Sequence, residues 1–175
     1  EMCIRDRNRQ VEANEKARQI YEQNLLGPVN LVELTTNRNS PWGAWYWGIH
    51  PDGNQKTIDW ERFQMPSPNK LAWGDGKEAL ESFFRCSCWL DYGTGLSGDL
   101  LSHDFDTINQ IMDIGIPKYV SSSGGIYHYK KENYPDLIGF DRDVPDVWNA
   151  TFEYPDRDLT VLYSATLSSY NPRGN

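Results

Sequence analysis

Residues Cys88–Met112 read CWLDYGTGLSGDLLSHDFDTINQIM, and the purpose of their glycines decides which fold the chain adopts. Gly93, Gly95 and Gly98 spell G-x-G-x-x-G, the pattern of a dinucleotide-binding turn. Such a turn needs a buried parallel strand before it, a helix after it and an acidic residue about 20 positions on. The helix is present, because Leu101, Phe105, Ile108 and Met112 recur at helical spacing and form an apolar stripe. The strand is poor: RCSCWLDY lacks the Val/Ile/Leu run of a strand buried on both faces. Asp99 comes directly after the last glycine and puts a carboxylate at the helix N-terminus, where it would repel a pyrophosphate. The next strand candidate ends in SSSGG and offers no ribose-binding acid. The glycines are therefore expected to serve something other than a nucleotide.

The polar side of the same helix carries chemistry. Asp99 and His103 lie four residues apart and share a face, which Asp106 and Gln110 continue. Flanking carboxylates strengthen a histidine's hold on its proton and orient its ring, an arrangement suited to general acid/base work. The pattern alone describes a solvated helix face with a chance histidine equally well, and that is the commoner case. A metal held by His103 with Asp99, Asp104 or Asp106 is the other reading, but acids are ordinary in the first turns of a helix, so no metal is expected. Ser102 and His103, as sequence neighbours on a helix, point about 100° apart, and no G-x-S-x-G elbow exists to make a triad.

Working outward, Ala13, Ala17, Ile20, Tyr21 and Asn24 predict a helix from Val11 that Gly27 and Pro28 end. VNLVELTT, Val29 to Thr36, is a β-branched run that predicts a strand. Residues 37–57 are rich in Gly and Pro yet carry Trp42, Trp45, Tyr46 and Trp47, as a loop packed over a core or used in binding would. TIDWERF suggests a short helix, and PSPNKLAWGDGKEALE reads as a polar excursion. The helix over 98–112 stops by Gly115, and KYVSSSGGIYHY comes next as a strand. Two alternating runs around Pro155–Asp158 predict a hairpin. The expected class is α+β, with a large, mostly antiparallel open sheet and helices on one face.

A chain of 175 residues with a net charge of −8 makes a nucleic-acid backbone an improbable partner. No apolar run reaches the roughly 20 residues of a membrane helix, and no secretion signal is visible. Cys3, Cys86 and Cys88 form no disulfide framework. Cys86 and Cys88 would point the same way on a strand, with no second cluster to complete a metal site. EMCIRDR, residues 1–7, is unlike the rest of the chain and reads as translated adapter sequence, so it is set aside from fold reasoning.

Several separated blocks, in order, resemble one family: VNLVELTTNRNSPWGAW, TIDWERF, WLDYGTGLSGDLLSHDFDTINQIM, GIPKYVSSSGGIY and VPDVWNATFEYPDRDLTVLYSATL. From Asn8 to its end the chain is similar to the C-terminal part of a Gfo/Idh/MocA oxidoreductase. The resemblance implies an upstream Rossmann domain that holds NAD or NADP. Residues 8–28 would then be that domain's last helix, and 29–175 a substrate and oligomerisation domain. It implies a sugar or cyclitol substrate, a homo-oligomer formed through the sheet face, and a protein that is cytoplasmic, or periplasmic if it carries a twin-arginine leader. The family's G-D-x-x-x-H signature falls on Gly98, Asp99 and His103. By resemblance His103 takes the substrate hydroxyl proton, Asp99 positions it or the substrate, and Arg38 and Tyr92 face the same cleft as substrate contacts. Relatives tend to read RWRCWWDYG where this chain has RCSCWLDYG, so Cys86, Ser87 and Leu90 alter a pocket wall. The fingerprint and catalytic lysine of the family are absent, so the 175 residues alone are expected not to turn over substrate. The resemblance leaves two alternatives, an NAD-dependent glycosidase of the same fold and a non-catalytic sugar-binding or dimerisation module.

Overall fold

The computed structural model describes residues 11–169; residues 1–7, Cys3 and the stretch 170–175 lie outside them, as does the start of the expected first helix. Helix α1 spans Glu12–Glu22, and the chain leaves it through Asn24 and Gly27, both with positive φ. It buries no residue fully, although Tyr21 packs against the main core. Strand β1, Leu31–Asn37, starts two residues later than the β-branched run suggests.

Strands β2 (Tyr119–Gly125), β3 (Val147–Tyr154) and β4 (Leu159–Thr166) complete a four-stranded sheet of order β1-β4-β3-β2. The β3–β4 hairpin turns at Pro155–Arg157, as expected, with Asp158 in the left-handed region. β2, β3 and β4 pair antiparallel, whereas β1 runs parallel to β4, so the sheet is mixed. Ala150, Phe152 and Tyr154 on β3, with Leu159, Val161, Tyr163 and Ala165 on β4, turn one face into the core. The alternate residues, among them Glu33, Thr35, Asn149, Thr151, Leu162 and Ser164, line a shallow groove of about 450 Å³ on the open face.

The helix after the glycines, α4, is regular over Ser102–Met112 and packs against α1. Leu101, Ile108 and Met112 are buried and Phe105 is partly so, which is the apolar stripe read from the sequence. Asp113 ends it in the left-handed conformation, two residues before Gly115.

Two expectations are corrected. The stretch taken as a polar excursion contains a helix, α3 (Lys77–Phe84), whose Glu81 and Ser82 are buried with Ala79. Glu81 is internal because Arg85 is too: the pair meets at 2.8 Å, so the polar letters disguise an inward face. Cys86–Cys88 is a 3₁₀ turn and not a strand. Cys88 is buried there, with its thiol against the Ala44 carbonyl. α3 and the short helix α2 (Trp60–Phe63), begun by Asp59 accepting from the Arg62 amide, enclose a second aromatic cluster that Tyr92 joins.

Candidate functional site

The glycine loop shows why each glycine is required. A Cβ on Gly93 would lie 2.8 Å from the Ser87 backbone, one on Gly95 would meet the Val144 side chain at 2.2 Å, and one on Gly98 would overlap the Thr94 side chain. Gly95 also has φ 56° and ψ −141°, a region essentially reserved for glycine. Their amides are all spent within the protein: Gly93 on the Trp89 carbonyl, Gly98 on the Thr94 carbonyl, Gly95 on the Asp99 carboxylate. None of the three glycine amides is left for a pyrophosphate.

Asp99 is the residue that holds the loop. Its two carboxylate oxygens accept from the Thr94 hydroxyl and the Gly95 amide, each at 3.2 Å. It sits in a π-helical turn, Leu96–Leu101, that precedes α4. Turns of this kind occur chiefly as single insertions and often at functional sites. Nothing in the periodicity announced it; the signal was two glycines three apart at a helix start.

His103 stands one turn beyond Asp99, on the first turn of α4, and is half-buried. The two side chains are not hydrogen-bonded or ion-paired to each other, because Asp99 is turned back to the loop. The acid that does cross to the sheet is Asp104, which accepts from the Thr36 hydroxyl of β1 at 3.0 Å. Beside them the Tyr163 hydroxyl is buried without a well-formed hydrogen bond. Burial above all pushes it up to about 12, with Thr36, Asp104 and Arg38 close enough to act on its ionisation.

Tyr92 and Asp99 line one cleft of about 420 Å³, together with Phe63, Pro66, Leu90, Asp91, Gly93 and Thr94. The Tyr92 ring stacks on Phe63 at 4.9 Å. Burial first, then Asp91 and Glu78, raises the phenol's pKa. Arg38 is not brought to this cleft. Its guanidinium donates to the Gly43 carbonyl at 2.8 Å and lies over the Trp45 ring. Of the four residues named from the sequence, the structure thus joins Tyr92 with Asp99, sets His103 one turn along, and leaves Arg38 tied to the tryptophan loop. Leu90 is the wall position that the resemblance named; Phe63 was missed because it comes from α2, distant in sequence, and Asp91 although it adjoins Tyr92. Among the described residues no group of three or more His, Cys, Asp or Glu is arranged to hold a metal, and no helix is long and apolar enough to cross a membrane.

The fold matches that of the C-terminal domains of Gfo/Idh/MocA-type dehydrogenases. No family model and no curated protein sequence matches the chain. Solved structures do. The WlbA dehydrogenase of Bordetella pertussis, in complex with NADH and UDP-GlcNAcA, superposes with a TM-score of 0.53 at 11% identity over 94% of this chain and 35% of its own. The aldose-aldose oxidoreductase of Caulobacter crescentus gives 0.50 at 14% identity, over 93% and 34%. Gal80p of Saccharomyces cerevisiae, in a super-repressor mutant, gives 0.54 at 12% identity, over 95% and 35%. The chain spans about a third of the length of these proteins. Enzymes and a repressor share the architecture, so the fold by itself does not decide catalysis.

Proposed function

We propose that this chain is the substrate side of an NAD(P)-dependent oxidoreductase acting on a sugar or cyclitol alcohol, with His103 as acid/base. The observation that carries the reading is Asp99 in the wall of an open cleft with His103 one helical turn further on. Residues four apart on a helix share a face, which supports His103 acting on the side of the helix that bears Asp99. An imidazole is the side chain whose unperturbed pKa suits moving a hydroxyl proton near neutrality. The nicotinamide, held by residues outside this chain, supplies the redox chemistry when bound. Asp99 fixes the loop, Tyr92 forms the wall, and Arg38 braces the tryptophan loop. The 175 residues alone are without turnover in this reading, and the homo-oligomer forms through the open sheet face. In a full-length protein carrying this chain, His103→Ala is expected to lower kcat about a hundredfold or more. An unchanged rate would remove the role.

The likeness to Gal80p favours a second reading, a binding module without turnover. A full-length protein that binds no nicotinamide cofactor by calorimetry would establish that alternative. Release of an aryl leaving group with the cofactor bound would instead point to the glycosidase reading.

A further inference from the structure

A separate groove of about 630 Å³ lies between α2 and the segment Leu71–Trp73, and it shares no lining residue with the cleft beside the glycine loop. Gln64, at the C-terminal end of α2, forms part of its floor and is only 6% accessible. The side-chain oxygen of Gln64 accepts from the Leu71 amide at 2.6 Å. Because that donor is an N–H, the atom it meets is the oxygen, and the other terminal atom is Nε2. Nε2 has no hydrogen-bond partner among the described residues, yet it is not sealed from solvent, so its two N–H bonds open on the groove. A buried amide with unmet donors costs stability unless water or a ligand accepts from it. Trp73, half-buried in the wall, adds an indole N–H that has no partner among the described residues, and its ring meets Trp60 edge-on at 5.8 Å. Both acceptors at the base are engaged: the Gln64 oxygen by Leu71, and the Leu71 carbonyl by the Trp60 indole at 2.9 Å. Ala72 is exposed on the same wall, and neither its amide nor its carbonyl is hydrogen-bonded among the described residues. At the rim the exposed acids Asp59 and Glu61 outnumber Lys56.

We propose that this groove is a docking site for an extended, proline-containing peptide segment with a basic flank. The carbonyl before a proline accepts strongly and has no N–H beside it. It satisfies the Gln64 amide without bringing a donor to a base whose acceptors are taken, whereas a secondary amide brings one. The pyrrolidine ring lies against Trp73, as prolines do in aromatic-lined grooves, and the extended chain passes the free amide and carbonyl of Ala72. A carboxylate would also accept from Gln64, but Asp59 and Glu61 repel it, and the same two acids attract a Lys or Arg on the peptide's flank. The site stands apart from the oxidoreductase reading, since none of its residues belongs to the cleft of Tyr92 and Asp99.

The test titrates the isotope-labelled 175-residue chain by NMR with the end-blocked peptide RAPAPR and with the controls RAAAAR and EAPAPE. RAPAPR is expected to move the side-chain amide signals of Gln64, the indole N–H of Trp73 and the backbone amide of Ala72, with each control weaker by about tenfold. Gln64→Glu keeps the oxygen that accepts from Leu71 and exchanges the donor for an acceptor, and it is expected to weaken RAPAPR by about tenfold. Glu61→Lys, at an exposed position, is expected to weaken it by about threefold, an effect that shrinks in high salt. No response at Gln64, Trp73 and Ala72, equal binding of either control, or full affinity in either folded variant would each overturn the proposal. Acetate moving the same signals as strongly would replace it with a small-anion site, and signals that move with protein concentration alone would replace it with a contact between copies of the chain.

Discussion

At Gly95 a single hydrogen decides whether two parts of the molecule close. The backbone there is in a glycine-only region, and Val144 occupies the space a methyl group would need. Gly95→Ala is expected to cost about 3 kcal/mol, read as a loss in thermal or denaturant stability. Cys88 and Tyr163 are a second residue-scale case. Burial, foremost, raises the Cys88 thiol from 9.0 to about 11 and the Tyr163 phenol from 10.0 to about 12. A folded pKa above the unfolded one means that the stability is fully present below the unfolded value and is lost as pH rises through the folded one. Unfolding free energy should thus hold below pH 9 and fall between about pH 9 and 12, by about 2 kcal/mol per group. Flat stability across that range would show that these groups are hydrated. Asp146 was silent in the sequence. It is wholly buried because it accepts from the amides of Tyr127, His128 and Tyr129 at 2.7–2.9 Å, partners that only the folded loop supplies.

Among the elements, α3 is the instructive miss. Helical periodicity was obscured because two of its inward positions are polar, Glu81 and Ser82, and Glu81 is usable inside only through Arg85. Arg85 is satisfied in turn by the carbonyls of Trp47 and Leu137, so the ion pair ties α3 to the tryptophan loop and to the segment before β3. Glu81→Ala would leave a buried guanidinium unpaired and is expected to cost about 3–5 kcal/mol, whereas the double change Glu81→Leu with Arg85→Met should cost less. Equal losses in urea titrations of both variants would contradict this. The α4–β1 contact is finer: Thr36→Val removes the side-chain hydrogen bond from Thr36 to Asp104 and should cost about 1 kcal/mol. By contrast the α4 stripe and the β3–β4 hairpin were legible, because each carries its own periodicity and its own turn residues.

For the whole molecule, one face of the sheet is left open, with Thr151, Leu162 and Ser164 along its groove. If the homo-oligomer forms there, Leu162→Arg should shift the sedimentation of the protein toward the monomer without unfolding it; an unchanged species would place the interface elsewhere. The sequence by itself determined the α+β class and the order of most elements, because periodicity and turn chemistry are local properties. Only the tertiary structure decided that β1 runs parallel to β4, that Asp104 is the acid reaching the sheet, and that Phe63 shares a wall with Tyr92. Those outcomes depend on contacts between residues far apart in the chain, where close packing and the need to satisfy buried polar groups choose among arrangements that local pattern leaves equal.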